Sequence, residues 1–250
     1  MRKDNDRAVL AGAMAVLLAV SLAGCCKSEN DDDHSLSLSG GILGTGGNEP
    51  PVGLGSAAAF RVLASSTVAN TGPTSVDADL GVSPGSAVTG FPPGTLTGSI
   101  HAADATAATA QSDLTTAYNY AAGRPTGTVV SGNIGGLTLA PGVFTSTSSL
   151  AISSGDLTLT GLGNSNAVFI FQIPSALTVT SGRRVILAGG ARAANIFWQV
   201  GSSATLGTNC DFSGTIMALA SVTLETGASL HGRALASTGG VTLDSSVVGP

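Results

Sequence analysis

From Gly132 onward, short segments carry an aliphatic side chain at every second position and a small or hydroxylated one between. Five of them align: SSLAISSG (148–155), SALTVTSG (175–182), SSATLGTN (202–209), ASVTLETG (220–227) and GGVTLDSS (239–246). Side chains alternate along a strand, so Leu150 and Ile152, Leu177 and Val179, Ala204 and Leu206, Val222 and Leu224, and Val241 and Leu243 are predicted to point inward. The outward positions are then Ser149 and Ala151, Ala176 and Thr178, Ser203 and Thr205, Ser221 and Thr223, and Gly240 and Thr242. The step is 27 residues from Ala151 to Thr178 and again to Thr205, then 18 to Thr223 and 19 to Thr242.

A second series, AVFIFQI (167–173), NIFWQV (195–200), GTIMAL (214–219) and GRALAS (232–237), is apolar at nearly every position in its early members. A strand without alternation is covered on both sides, so another element must shield its outer face. The candidate is a helix in SIHAADATAATAQSDLTTAYNYAAGRP. There Ala103, Ala107, Ala110, Leu114, Ala117, Tyr118 and Ala121 follow three- and four-residue steps, and Gly123 and Pro125 end the pattern. Its mostly alanine stripe allows close approach to a sheet. A third series comprises DLTLTG, RRVILAGG and ASLHGRA, while residues 57–72 and 75–84 read as short strands with turns. Three strand types recurring in order, with glycine corners, describe the coils of a β-solenoid, in which only stacking completes the core. The copies of a β-sandwich would not resemble one another in this way.

Composition narrows the function. Of 250 residues 10% are charged, against about a quarter in ordinary soluble domains. The net charge is −5, and no lysine occurs beyond residue 55. Without a basic cluster, nucleic acid is not an expected partner. Arg2, Lys3 and Arg7 precede the apolar run AVLAGAMAVLLAVSLA, which suits a signal peptide over residues 1–24. Leu22-Ala23-Gly24-Cys25 resembles the bacterial lipobox, which implies cleavage before Cys25 and acylation of its thiol. Residues 25–56, acidic at Asp31-Asp32-Asp33 and then Ser/Gly/Pro-rich, read as a flexible tether, and residues 57–250 as the domain. The expected location is the bacterial envelope, held by the lipid alone. The absence of aspartate after Cys25 favours the outer membrane, and secretion is the alternative. Cys210 reads as a half-buried thiol, with no metal-ligand spacing around it.

GNIGGLTLAPGVFTSTSSLAISSGDLTLTG, NAVFIFQIPSALTVTSGRRVILAGGARAANIFWQVGSSATLG and GASLHGRALASTGGVTL resemble the microbial ice-binding proteins, over roughly residues 57–250. FQI, LAGGA, NIFWQV and GRAL fall in that family's order and spacing. The resemblance implies a right-handed triangular β-solenoid with one long α-helix packed alongside. It is discontinuous, the N-terminal strands being set apart in sequence from the coils they stack on. It also implies a protein that uses no cofactor, adsorbs to ice through one flat Thr/Ser-rich face, and inhibits ice growth and recrystallisation; a monomer without a metal site is expected. Carried onto this chain, that face comprises the ten outward residues from Ser149 to Thr242 named above. Thr67, Ala69 and Thr71 are candidates to extend it, and Ala151 and Gly240 interrupt its hydroxyl columns.

Stacked coils would set equivalent residues about 4.8 Å apart, and alternate residues along a strand about 6.7 Å apart. These spacings are comparable with those of oxygens in ice. The rival function is a cell-surface adhesin or carbohydrate-binding module, which would need exposed aromatic platforms, whereas Trp198 falls in a strand predicted to be buried. An enzyme is not expected: Asp77, Asp79, Asp104, Asp113, Asp156, Asp211, Glu225 and Asp244 are scattered over different repeats, and His101 and His231 have no convincing catalytic partner. Arg183 and Arg184 read as solvated turn residues.

Overall fold

The structure, a computed structural model, describes residues 41–47 and 49–250. Residues 1–24, read above as a signal peptide, Cys25 and the acidic part of the expected tether lie outside the described residues. Among the described residues all pairing between strands is parallel, in sheets of four, eight and twelve strands.

The five aligned segments lie side by side in the eight-stranded sheet, hereafter the threonine sheet. Its strands run in the order Gly132–Asn133, Leu150–Ile152, Leu177–Val179, Ala204–Leu206, Val222–Leu224, Val241–Asp244, Thr67–Thr71 and Ala87–Thr89. Every inward residue predicted for the five segments is buried. The second series forms the middle of the twelve-stranded sheet, including Phe169–Ile173, Ile196–Val200, Asp211–Ala218 and Ser229–Ala236. The inner face of that sheet stacks Phe144, Phe171 and Trp198, with ring centroids 5.0 and 3.8 Å apart. Trp198 is fully buried, and its Nε1 donates to the Ser213 carbonyl at 3.0 Å, so the one polar atom of the ring is satisfied.

The change of step from 27 to 18 or 19 residues has a structural cause. Coils up to Ala188 use all three sheets, with Ile42–Leu43, Thr138–Leu139, Leu157–Thr160 and Val185–Ala188 forming the third. Beyond that point the third sheet ends. ASLHGRA, expected in the third series, is instead part of the strand Ser229–Ala236 of the twelve-stranded sheet. The shorter coils lack residues for a separate third side, and their strands run eight residues through it. Gly214, at φ 117° and paired with Gly232, permits this path: a Cβ on Gly232 would lie 2.0 Å from the Gly214 carbonyl oxygen.

Chain order is broken as the resemblance implied. Thr67–Thr71 pairs with Val241–Asp244, and Phe60–Ala64 with Ser229–Ala236, so strands from opposite ends of the domain complete one another's sheets.

The helix spans Ala105–Ala122. Asp104 Oδ1 caps its start by accepting from the Ala107 N–H at 2.8 Å, and the Gly123 N–H closes its end on the Asn119 carbonyl at 2.9 Å. Ala107, Ala110, Leu114, Ala117 and Ala121 are buried, and all but Ala107 pack in one cluster with Phe60, Val143, Ile170, Phe197, Met217 and Leu235 on the outer face of the twelve-stranded sheet. Continuous hydrophobicity in the second series thus has its cover. Two members of the predicted stripe differ. Ala103 precedes the helix, exposed and at φ 55°, and Tyr118 is half-buried, its hydroxyl accepting from Gln199 Nε2 at 2.8 Å.

The tether expectation also needs correction at its downstream end. Ile42–Leu43 pairs with Thr138–Leu139, and Val52 and Leu54 are buried, so part of the segment assigned to residues 25–56 is packed structure. Ile42 and Leu43 find an open sheet edge, and Val52 and Leu54 an apolar patch to cover, which composition alone does not reveal.

Candidate functional site

The register of the threonine sheet decides whether the outward residues form one surface. Across successive strands Asn133 pairs with Ala151, Ala151 with Thr178, Thr178 with Thr205, Thr205 with Thr223, Thr223 with Thr242, Thr242 with Ala69 and Ala69 with Thr89. None of these side chains is buried. The register preceding it carries Ser149, Ala176, Ser203, Ser221 and Gly240, linked by ladder bonds such as Leu150 N–H to the Ala176 carbonyl and Val222 N–H to that of Gly240. Thr67 and Ala87 continue this second column. All ten predicted residues therefore share one face of one sheet. Eight strands at about 4.8 Å give that face a length of roughly 34 Å.

Three details shape the face. Ser149 Oγ donates to Ser175 Oγ at 3.0 Å, tying two coils together at the edge of the face. Gly240 leaves a gap in its column because a Cβ there would lie 2.8 Å from Thr67 Oγ1 and 3.0 Å from the Thr67 carbonyl oxygen. Two carboxylates follow the strand cores, Glu225 after Val222–Leu224 and Asp244 at the end of its strand. Both are held by corner hydroxyls: Glu225 Oε2 accepts from Thr208 N–H and Oγ1 at 3.2 Å each, and Asp244 Oδ2 from Thr226 Oγ1. The two central columns are left without charge.

Thr89 was not singled out from sequence, although SAVTG (86–90) repeats the motif of ASVTL (220–224) and could have signalled it. Asn133 was missed too, because GN offers no aliphatic alternation. Its Oδ1 accepts from the backbone N–H of Ser153 at 2.8 Å and from Ser153 Oγ at 3.0 Å, which finishes the sheet at that end.

Both histidines have carboxylate partners, His101 three residues along its own segment and His231 on the neighbouring strand. His101 Nδ1 lies 2.7 Å from Asp104 Oδ2, and His231 Nε2 lies 3.1 Å from Asp211 Oδ1. His231, Asp211, Ser213 and Arg184 line a cavity of about 450 Å³ beside Val185, Ile186 and Leu187. This grouping does not make a nucleophile–base pair. The second ring nitrogen of His231, Nδ1, is 3.0 Å from the Pro250 carbonyl oxygen, so neither nitrogen is left to take a proton from Ser213. Arg183 is not simply solvated, since its Nη1 lies 3.8 Å from Asp156 Oδ1, whereas Arg184 is exposed. Cys210 is fully buried rather than half-buried, and burial first, then the Asp211 charge, pushes its thiol up to about 12, so it stays protonated at neutral pH.

Comparison with known proteins agrees with this architecture. A profile described as ice-binding-like matches residues 62–249. An ice-binding protein of Nostoc sp. (strain HG1) is 49% identical over 197 residues, 78% of this chain and 72% of that one. One of Flavobacterium frigoris (strain PS1) is 35% identical across 98% of this chain and 90% of its own. Among solved structures, an ice-binding protein from an Antarctic biological consortium superposes with a TM-score of 0.78 at 55% identity, over 80% of this chain and 90% of that one. The ice-binding protein of an Arctic yeast gives 0.75 at 36% identity, over 80% and 94%.

Proposed function

The chain belongs to the ice-binding-like family, and on that premise we propose that it adsorbs to ice through the outward face of the threonine sheet, limiting ice growth and recrystallisation. The observation that carries this reading is the unbroken register from Thr178 through Thr205 and Thr223 to Thr242. Each threonine offers a hydroxyl that can hold a water and a methyl that limits how neighbouring water arranges. A bridging water is nearly as favourable as a direct hydrogen bond and costs at most about 2 kcal/mol to immobilise. Many weakly held waters at lattice-like spacing can therefore anchor a whole domain without any single strong contact. Long charged side chains would order water around themselves, and the central columns have none. Ice growing between adsorbed molecules must bulge, and the curved front melts at a lower temperature.

No catalytic step enters this reading, and the family is not known to be enzymatic. The adhesin alternative finds no support on the face, whose outward columns contain no aromatic side chain. Ice adsorption is tested by Thr205→Tyr with Thr223→Tyr. Two bulky rings in the middle of the columns are expected to abolish thermal hysteresis while circular dichroism stays unchanged. Retained hysteresis would place the ice-binding surface elsewhere.

A further inference from the structure

On the twelve-stranded sheet, away from the threonine face, two arginines stand side by side. Val62 pairs with Ala234, so the residues before them, Arg61 and Arg233, are neighbours on adjacent strands, and Arg61 falls where the pairing of its own strand with Asp79–Val82 on the other side shifts register, between Phe60 and Val62. Like charges placed opposite one another on a sheet are destabilising, and no carboxylate within the described residues lies within 4.0 Å of either guanidinium. The next residue along this ladder is Thr215, neutral and fully buried, so nothing on that side offsets the charge.

Both side chains are held in place by main-chain carbonyls. Arg61 donates from Nε to Asp77 at 3.1 Å and from Nη1 to Gly232 at 3.4 Å. Arg233 donates from Nε and Nη2 to Ala58 at 3.2 and 2.9 Å. Arg61 Nη2 and Arg233 Nη1 remain as donors outside these bonds, and neither is sealed from solvent. Burial, then the Arg61 charge, lowers the proton affinity of Arg233, which is consistent with two neighbouring cations in a half-covered setting.

We infer that Arg61 and Arg233 together form a binding site for a phosphate-type oxyanion, either free or in a lipid headgroup. Pre-positioned guanidinium donors suit this chemistry, since arginine–phosphate hydrogen bonds are charge-assisted and stronger than neutral ones. Occupation from a headgroup would use a sheet other than the threonine sheet, leaving that face free.

The test uses the full chain carrying Cys25→Ala, so that no acyl chain contributes. Inorganic phosphate is titrated calorimetrically at constant ionic strength into this protein and into versions with Arg61→Gln or, as a control, Arg192→Gln. Saturable binding is expected, at least tenfold weaker with Arg61→Gln and unchanged with Arg192→Gln. Since Arg61 also clasps the backbone, circular dichroism checks the variant's fold. Phosphate-induced shifts of arginine Nε–H resonances in the protein with both arginines intact give a readout that needs no variant. Co-sedimentation with phosphatidylglycerol but not phosphatidylcholine vesicles, lost with Arg61→Gln, identifies a headgroup as the source. Phosphate binding without vesicle binding identifies a free oxyanion. Binding to neither probe, or binding that Arg61→Gln leaves intact, overturns the assignment.

Discussion

At the scale of single residues, the proposed face depends on which short side chain occupies each outward position. Ala151 and Gly240 both interrupt hydroxyl columns, but for different physical reasons. Gly240 is constrained, because any Cβ would press on Thr67. Ala151 carries no such constraint: it is half-buried in register between Asn133 and Thr178 and already points outward. Ala151→Thr is therefore expected to extend the threonine column and raise thermal hysteresis, with a melting temperature within a few degrees of the parent, since surface changes are usually worth less than about 0.5 kcal/mol. Hysteresis measured against concentration decides this, and an unchanged curve would mean that the column does not reach ice at that coil. Residue alternation made these positions legible in sequence. It could not show that Gly240 meets Thr67, because those residues are distant in the chain and become neighbours only where the domain's two ends stack.

At the scale of elements, the helix is attached at its start and its middle by carboxylates. Asp104 caps it, and Asp113 Oδ2 accepts from Ser56 N–H at 2.7 Å and Ser56 Oγ at 2.6 Å. The Ala107 N–H, then His101, holds Asp104 below the usual carboxylate value, and the Ser56 hydroxyl and N–H do the same for Asp113. A carboxylate with a lowered folded-state pKa stabilises the fold above its ordinary value of 3.8, and that contribution disappears as pH falls through the lowered value. Thermal melts should accordingly drop as the pH is taken from 5 to about 2. Asp113→Asn should show a smaller drop over the same range, and an equal drop would mean that Asp113 contributes nothing to the pH dependence. The helix and the strands it shields were legible from the three- and four-residue steps and the uninterrupted apolar runs. The fate of ASLHGRA was not, because its alternation suits a strand in either sheet and only the shortened coil decides between them.

At the scale of the whole molecule, strands from residues 60–71 close sheets formed by residues 229–244, so the domain cannot be divided at a point in the chain without opening both sheets. The expectation that this domain is held at a bacterial envelope rests on Leu22-Ala23-Gly24-Cys25, and it belongs to the proposal together with the monomeric state. Cys25→Ala is expected to move the protein from the membrane fraction to the soluble fraction of cells that express it. Persistence at the membrane would remove the lipid anchor from the account.

By itself the sequence determined the strand faces, the helix, the stacking of repeats and the scarcity of charge, because each is written in local periodicity or composition. Only the tertiary structure decided that Thr67–Thr71 and Ala87–Thr89 join the far end of the threonine sheet. It alone decided that the third sheet has four strands among the described residues, that His231 meets Asp211, and that Arg61 and Arg233 fall on adjacent strands. The physical reason is common to all of them. Local periodicity sets which way a side chain points, whereas the identity of its neighbour depends on how residues distant along the chain pair when the coils stack.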